Sequence, residues 1–350
     1  MKKQVHGGDV YRFKNALDFS SNMNPLGTPD SVIRAARDSM EEICNYPDIQ
    51  QEKLISGIAS WEGVPEQWII CGNGAAEVIF TLVHALKPRT ALLLAPTFAE
   101  YEQALAAENC QLRFHMLKEE KGFLPDEELL TDITEDTDIL FLCNPNNPTG
   151  RLVEPSLMDR VLQRCGETGT FLVIDECFQD FIPDPARYTR KEDLNTNTGL
   201  FLLKAFTKRY AMAGLRLGYG LCSNRELLDR MHACVQPWNV SIPAQAAGVA
   251  ALLEKEYLEQ GREMVFRESA FLKKELRGLG FQVYDSMANY IFFRGPEGLV
   301  EKAWSFGVLI RDCSNYRGLG PGYYRVAVRK HQENRKLLKA LGAEICAVDS

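Results

Sequence analysis

Residues 204–220 read "KAFTKRYAMAGLRLGYG". Lys208 stands eight positions before Arg216, and Leu-Gly follows the arginine. The apolar run "GLFLLKAF" (199–206) leads into this stretch, and a second run, "LRLGYGL" (215–221), leads out of it. Runs this short and this uniformly apolar suit strands buried on both faces. A basic pair lodged between them therefore sits near strand ends. Such a pair is either a solvated surface feature or a reactive amine beside an anion clamp, and the rest of the chain decides.

The same texture recurs in "TALLLAP" (90–96), "DILFLCNP" (138–145) and "TFLVIDEC" (170–177), with helical patterns such as "FAEYEQALAAEN" (98–109) and "EPSLMDRVLQRC" (154–165) between several of the runs. "WIICGNGAAEVIFTLVHAL" (68–86) reads as strand, glycine turn and helix. In "TPDSVIRAARDSMEEI" (28–43), Thr28 is the expected N-cap and Pro29 the first helical residue, with Ile33, Ala36, Met40 and Ile43 at helical spacing. Buried strands interleaved with helices predict an α/β large domain over residues 30–240, built on a mainly parallel sheet flanked by helices. After residue 240 one long helical stretch (243–276) leads to shorter alternating strands: "FQVYD", "NYIFFR", "GVLIRD" and "YYRVAV". These predict a smaller α+β domain over 241–350, joined by residues 1–29 as an amino-terminal arm.

Bulk properties narrow the function. The 350 residues suit about two domains. A net charge of −7 offers no broad basic field for nucleic acid or acidic lipid, so local arginines serve small anions. The longest apolar runs are strand-sized, and "MKKQVHGGDV" has no apolar stretch behind its lysines, so neither a membrane span nor a secretory signal is expected. Ten scattered cysteines without a CxxC pair read as reduced thiols of a cytoplasmic protein. Five dispersed histidines and no HExxH predict no metal site.

In open α/β sheets, ligands bind outside the carboxyl ends of the strands, so those ends hold the candidates. Gly74, Ala75 and Ala76 open a helix where backbone N–H groups accept a phosphate. Phe98 offers an aromatic plate, Asn147 of "NPNNPTG" an amide, and Asp175 a carboxylate closing an apolar strand. Each has a bland reading alone: a common turn, a core ring, a tight connection, a loop cap. Together with Lys208 and Arg216 they match the needs of pyridoxal 5′-phosphate (PLP). Its aldehyde takes an amine, Lys208, as a Schiff base. Its protonated pyridine nitrogen donates a charge-assisted hydrogen bond to Asp175. Its phosphate takes Gly74–Ala76, Thr207 and Arg216, and its ring oxygen takes Asn147.

The series "YPD" (46–48), "GNGAAE" (72–77), "APTF" (95–98), "NPNNPTG" (144–150), "IDE" (174–176), "TK" (207–208) and "AGLRLGY" (213–219) resembles the fold-type-I PLP enzymes, the aspartate aminotransferase superfamily. Within it the chain is most similar to the histidinol-phosphate aminotransferase branch, over nearly its whole length. The resemblance implies that Lys208 carries the cofactor while Lys204 does not. It implies a homodimer with sites at the interface, Tyr46 reaching the partner's cofactor phosphate. Family members usually carry a tyrosine three residues after the ring aspartate; here Phe178 stands in its place.

The ends of the chain, "HGGDV" (6–10), "LDFSSNMNPLG" (17–27) and "LIRDCSNYRGLGPGYYRVAVR" (309–329), are similar to the threonine-phosphate decarboxylases of cobalamin biosynthesis. The resemblance matches Arg325 to the substrate-carboxylate arginine. In "YYRVAVR" alternation puts Tyr324, Val326 and Val328 on the core face and Arg325, Ala327 and Arg329 on the other. A turn-rich segment separates Arg311 from Arg325, and folding it back presents a second guanidinium for a second anion. His6, Gly7 and Asn22 are expected to close over the substrate. The predicted activity is decarboxylation of a phosphorylated amino acid, O-phospho-L-threonine to aminopropanol phosphate, with aminotransfer as the alternative. A recruited binding module is the non-enzyme alternative, and the retained Lys208 argues against it.

Overall fold

In the computed structural model, which describes residues 6–342, the chain opens with strand β1 (Leu17–Asp18) and helices α1 (Asp30–Asp38) and α2 (Glu52–Glu62). Strands and helices then alternate through β2 (Ile69–Gly72), α3 (Ala75–Leu86), β3 (Thr90–Ala95), α4 (Ala99–Ala107) and β4 (Gln111–Met116). The short α5 (Glu128–Asp132) precedes β5 (Ile139–Cys143), α6 (Pro155–Thr168) and β6 (Phe171–Asp175). Next come α7 (Pro185–Tyr188), β7 (Leu200–Ala205), the one-turn α8 (Phe206–Arg209), β8 (Gly218–Leu221) and α9 (Arg225–Cys234). Helices α10 (Ile242–Ala251) and α11 (Lys255–Gly278) lead to β9 (Gln282–Val283) and β10 (Tyr290–Arg294). The last elements are α12 (Leu299–Ser305), β11 (Val308–Leu309), β12 (Arg311–Asp312), β13 (Tyr323–Ala327) and α13 (His331–Leu341).

Seven strands form one sheet in the order β2-β8-β7-β6-β5-β3-β4. Only β8 runs against the others, and it is antiparallel to both of its neighbours. The carboxyl ends of β2, β3, β5, β6 and β7 therefore share one edge. Alternate side chains fill two cores: Leu92, Leu140, Leu172 and Leu202 pack on one face, and Leu93, Phe141, Val173 and Phe201 on the other. Burial on both faces is why these runs carry no polar alternation. A four-stranded antiparallel sheet, β12-β13-β10-β9, forms the second body, with β1 pairing in parallel with β11 beside it. The amino-terminal arm thus joins the strands that follow residue 300, and Phe19 stitches it to both Leu309 and Ala327 through backbone bonds.

Three local readings are corrected. Thr28 does not cap α1: its hydroxyl donates to the Ala211 carbonyl at 2.7 Å, tying the arm to the loop after α8, and Pro29 takes the cap position. The helix of 28–43 stops at Asp38, and its buried contact is Val32, whereas Ile33, Met40 and Ile43 are exposed. The stretch 243–276 is two helices. The apolar α10 packs on α1 and α2, while α11 packs on α13 and β9, so the chain turns at Leu252–Glu254.

Beneath α8 lies a buried ion network. Glu62 accepts from Tyr219 at 2.5 Å and faces Lys204 and Arg209, both at 3.9 Å, while Lys204 pairs with Glu176 at 2.8 Å and Arg209 with Asp180 at 2.8 Å. Burial alone would push the Glu62 carboxyl up; Lys204, Arg209 and the Tyr219 hydroxyl overcome that and hold it below its ordinary value. Removing one partner leaves buried charge uncompensated, so Glu62→Gln is expected to cost about 3–5 kcal/mol in urea denaturation. Asp285→Asn, which breaks the exposed pair with Arg277, is expected to change nothing measurable.

Candidate active site

The shared carboxyl edge opens on a cavity of about 480 Å³, whose far wall is β12, β13 and the arm. Lys208 enters it from α8, a single turn at the end of β7. The residue is half-buried, with its ammonium 5.8 Å from the centre of the Phe178 ring. Burial, reinforced by Arg325 and Arg216, lowers it to about 8 against the pull of Cys177 and Glu100. A lysine so desolvated keeps a fraction of free amine near neutrality, far more than a solvated surface lysine does. Lys204, by contrast, points away from this cavity into the Glu62–Glu176 network.

Asp175 closes β6 and lines the same cavity. Its Oδ2 accepts from the Tyr101 hydroxyl at 2.5 Å and its Oδ1 from the Cys177 N–H at 2.9 Å. Burial raises the carboxyl, while those two bonds and Lys208 oppose the rise. At the end of β2, α3 opens at Ala75 with no side-chain cap, so its first N–H groups face the cavity unclaimed. Gly74 has φ of +84°, and a Cβ there would lie 2.5 Å from Nη2 of Arg216. A Cβ on Gly218 would lie 2.3 Å from the Ala75 nitrogen. Both positions need glycine because the arginine and the helix start close on one small space. Thr207 and Phe98 line it as well.

Asn147 follows β5. Its Oδ1 accepts from Nη1 of Arg325 and faces the Tyr316 hydroxyl at 3.5 Å, which leaves its amide N–H₂ to the cavity. Arg325 also donates to the Ser20 carbonyl at 2.8 Å. Directly opposite it across the β12–β13 ladder stands Arg311, whose Nη2 donates to Oδ1 of Asn315 at 2.8 Å. Both arginines are buried, at 7 % and 6 % exposure for Arg311 and Arg325, and their hydrogen-bond partners are all neutral oxygens. Nε of Arg325 and Oδ1 of Asn22 are buried without any partner. Two desolvated guanidinium groups without a carboxylate are costly unless an anion arrives.

His6, Gly7 and Asn22 line the cavity from the arm. Two candidates lie elsewhere. Arg329 is spent on the Asp18 carbonyl and Glu333. Tyr46 is 75 % exposed and stacks on Trp238 at 4.3 Å, outside the cavity of its own chain. The structure adds Tyr101, Tyr316 and Glu100, which the sequence reading passed over. Glu100 and Tyr101 lay in "FAEYEQ", read only as a helical pattern. The available signal was an acid in the first turn after a strand end on the ligand edge.

The residues fit PLP on observations independent of any relative: a half-buried amine, a buried carboxylate with an aromatic prop, and an uncapped helix start closed by an arginine. The buried charge on Asp175 carries a cost of its own. Its raised value means the folded protein holds the proton longer than the unfolded chain. Stability therefore falls as pH rises from the ordinary carboxylate range to the raised value. Cofactor-free Asp175→Asn should be at least as stable as the parent at neutral pH in urea melts and should lose that part of the pH dependence.

Comparison with known proteins accords with this geometry. The family pattern described as aminotransferase class I and II matches residues 14–341. Threonine-phosphate decarboxylase of Salmonella typhimurium (strain LT2) is 38 % identical over 349 residues, covering 96 % of this chain and 95 % of that protein. The crystal structure of histidinol-phosphate aminotransferase from Clostridium acetobutylicum superposes with a TM-score of 0.87 at 30 % identity, covering 94 % of this chain and 98 % of that one. That of L-threonine-O-3-phosphate decarboxylase from Porphyromonas gingivalis gives 0.82 at 26 %, covering 93 % and 98 %. The chain belongs to the class I and II aminotransferase family of PLP-dependent enzymes.

Proposed function

We propose that this enzyme decarboxylates a phosphorylated amino acid, O-phospho-L-threonine or a near relative, to CO₂ and aminopropanol phosphate, as in cobalamin biosynthesis. The observation that carries the reading is the facing pair of buried arginines, Arg311 and Arg325, with only neutral partners. One anion neutralises one of them; a substrate bearing both a carboxylate and a phosphate neutralises two. The likeness to threonine-phosphate decarboxylase over 96 % of the chain supports the same choice.

Bound PLP supplies an aldehyde for the substrate amine and a protonated ring that draws electrons from Cα. Asp175 would keep the ring nitrogen protonated, Asn147 would donate to the ring oxygen and Phe98 would offer an aromatic plate to the ring. Gly74, Ala75, Ala76, Thr207 and Arg216 hold the phosphate. Arg311 and Arg325 fix the substrate's two anions and with them the torsion about the bond from nitrogen to Cα. Nζ of Lys208 would return a proton to Cα after loss of CO₂, or would remove the Cα proton in the aminotransferase alternative, with bound PLP supplying the electron sink in either case. His6, Gly7 and Asn22 exclude water from above.

The assembly in this proposal is a homodimer with Tyr46 serving the neighbouring site. The exposed Ile33, Met40, Ile43, Tyr46 and Trp238 support it, being apolar surface that a second copy would cover. The compartment in this proposal is the cytoplasm. The nine described cysteines are free, which suits a reducing environment, and Cys346 lies outside the described residues. Among the described residues no helix is long and apolar enough to cross a membrane.

Purified enzyme given O-phospho-L-threonine without any keto acid should release CO₂. Amino transfer that requires a keto acid and releases none would select the alternative. Arg311→Gln should lower kcat/KM about a hundredfold, mostly through KM, because it unpairs one substrate anion. Asp175→Asn should weaken PLP binding by about tenfold to a hundredfold in equilibrium dialysis, the worth of one charged hydrogen bond.

A further inference from the structure

Glu100 stands in the cavity wall at the first turn of α4, and no role above uses it. Its side chain is 15 % exposed, and one oxygen, Oε1, lies 3.4 Å from Nδ1 of His6. The other, Oε2, is buried without a hydrogen-bond partner. The titratable and charged groups facing it come from five other parts of the chain: His6 on the arm, Asp175 on β6, Lys208 on α8, Arg311 on β12 and Tyr316 after it. Burial pushes the carboxyl up to about 7; Asp175 adds to the push, while Lys208 and Arg311 resist it.

An anion seated between Arg311 and Arg325 enters a cavity that already holds this carboxyl. An ionised Glu100 repels that anion across a poorly solvated gap, whereas a protonated one removes the repulsion and presents a hydroxyl donor. We propose that Glu100 is a specificity-determining residue that couples anion binding in this cavity to proton uptake: the substrate's anions are admitted together with a proton. The inference rests on the preceding functional reading only in taking the ligand to be an anion held by the two arginines.

The sign follows from linkage. A bound anion raises the proton affinity of Glu100, so a proton is taken up between the free and the bound values. Anion affinity is then level below about 7 and falls above it. His6 acts in a different window, because burial and Arg311 hold it below its ordinary value, so its charging strengthens binding only at lower pH.

Sulfate is a suitable probe, since its charge stays constant over the whole neutral range. The holoenzyme is titrated with sulfate by calorimetry, in two buffers of different ionisation enthalpy. The wild-type enzyme should take up a fraction of a proton per sulfate and bind about fivefold more weakly at about pH 8 than at about pH 6.5. Glu100→Gln, or Glu100→Met should the first variant fail to fold, should lose both the uptake and the alkaline fall. Either should bind sulfate more tightly than wild type at the alkaline end, and His6→Asn should keep the fall. Any titration of the Lys208–cofactor link is common to all these proteins and reads separately in the visible absorbance. A wild-type slope retained in both Glu100 variants, or abolished by His6→Asn alone, would overturn the proposal. So would a flat wild-type profile. The CO₂ assay is independent: enzyme that binds sulfate with proton uptake yet only transaminates sinks the decarboxylase reading and leaves this one standing.

Discussion

Desolvation of cations governs this site. Around one cavity the fold half-buries Lys208 and buries Arg311 and Arg325 with less acid than would neutralise them. The imbalance has two consequences. With desolvation as the larger cause, it lowers Lys208 to about 8, which frees a fraction of the amine near neutrality. It also leaves the two guanidinium groups dependent on incoming anions. Acid placed against these cations would stabilise the empty protein and close the chemistry. The acids that are present, Asp175 and Glu100, are themselves raised by burial and so offset the positive charge only in part.

The scaffold supports this imbalance by spending charge elsewhere. Lys204 and Arg209 flank Lys208 in sequence, yet both turn to the opposite side, where Glu62, Glu176 and Asp180 satisfy them. Arg209 on the short helical turn and Lys204 on the strand before it thus join an ion network below, while Lys208 faces the cavity above. The network anchors α8, and the anchored turn keeps Lys208 beside Asp175 instead of letting it swing to solvent. On the far wall the ladder between β12 and β13 places Arg311 opposite Arg325. The loop joining them lays Arg317 over the Phe114 ring at 4.0 Å and pairs it with Glu102 at 2.7 Å, so the second body is latched to the first across the cavity mouth.

Much of this was legible in the sequence because the strongest signals are local. Strands buried on both faces leave uninterrupted apolar runs, and the polar residue ending each run marks the ligand edge. Asp175, Asn147 and Lys208 were visible on that ground. The pairing of Arg311 with Arg325 was visible because only one turn-rich segment separates them. What stayed hidden depends on tertiary choice. The break between α10 and α11 carries no glycine or proline; it exists because the two helices pack on different bodies. Glu100 looked like an ordinary helix acid, since nothing local says that the arm will bury it. Tyr46 is placed by a surface outside its own cavity, and a single chain holds no record of what covers it.

Phe178 packs edge-on against Tyr290 at 5.0 Å, and the Tyr290 hydroxyl is given to the Asn146 carbonyl. The Tyr316 hydroxyl and Nη1 of Arg325 both donate to Oδ1 of Asn147, so the two together set the orientation of the Asn147 amide. All of this presumes that the cofactor is bonded to the nitrogen at position 208. The direct measurement is borohydride reduction of the yellow holoenzyme, proteolysis and mass spectrometry of the pyridoxyl-bearing peptide. The account predicts the label on Lys208 alone. A label on Lys204, or on any lysine outside the cavity, would contradict it.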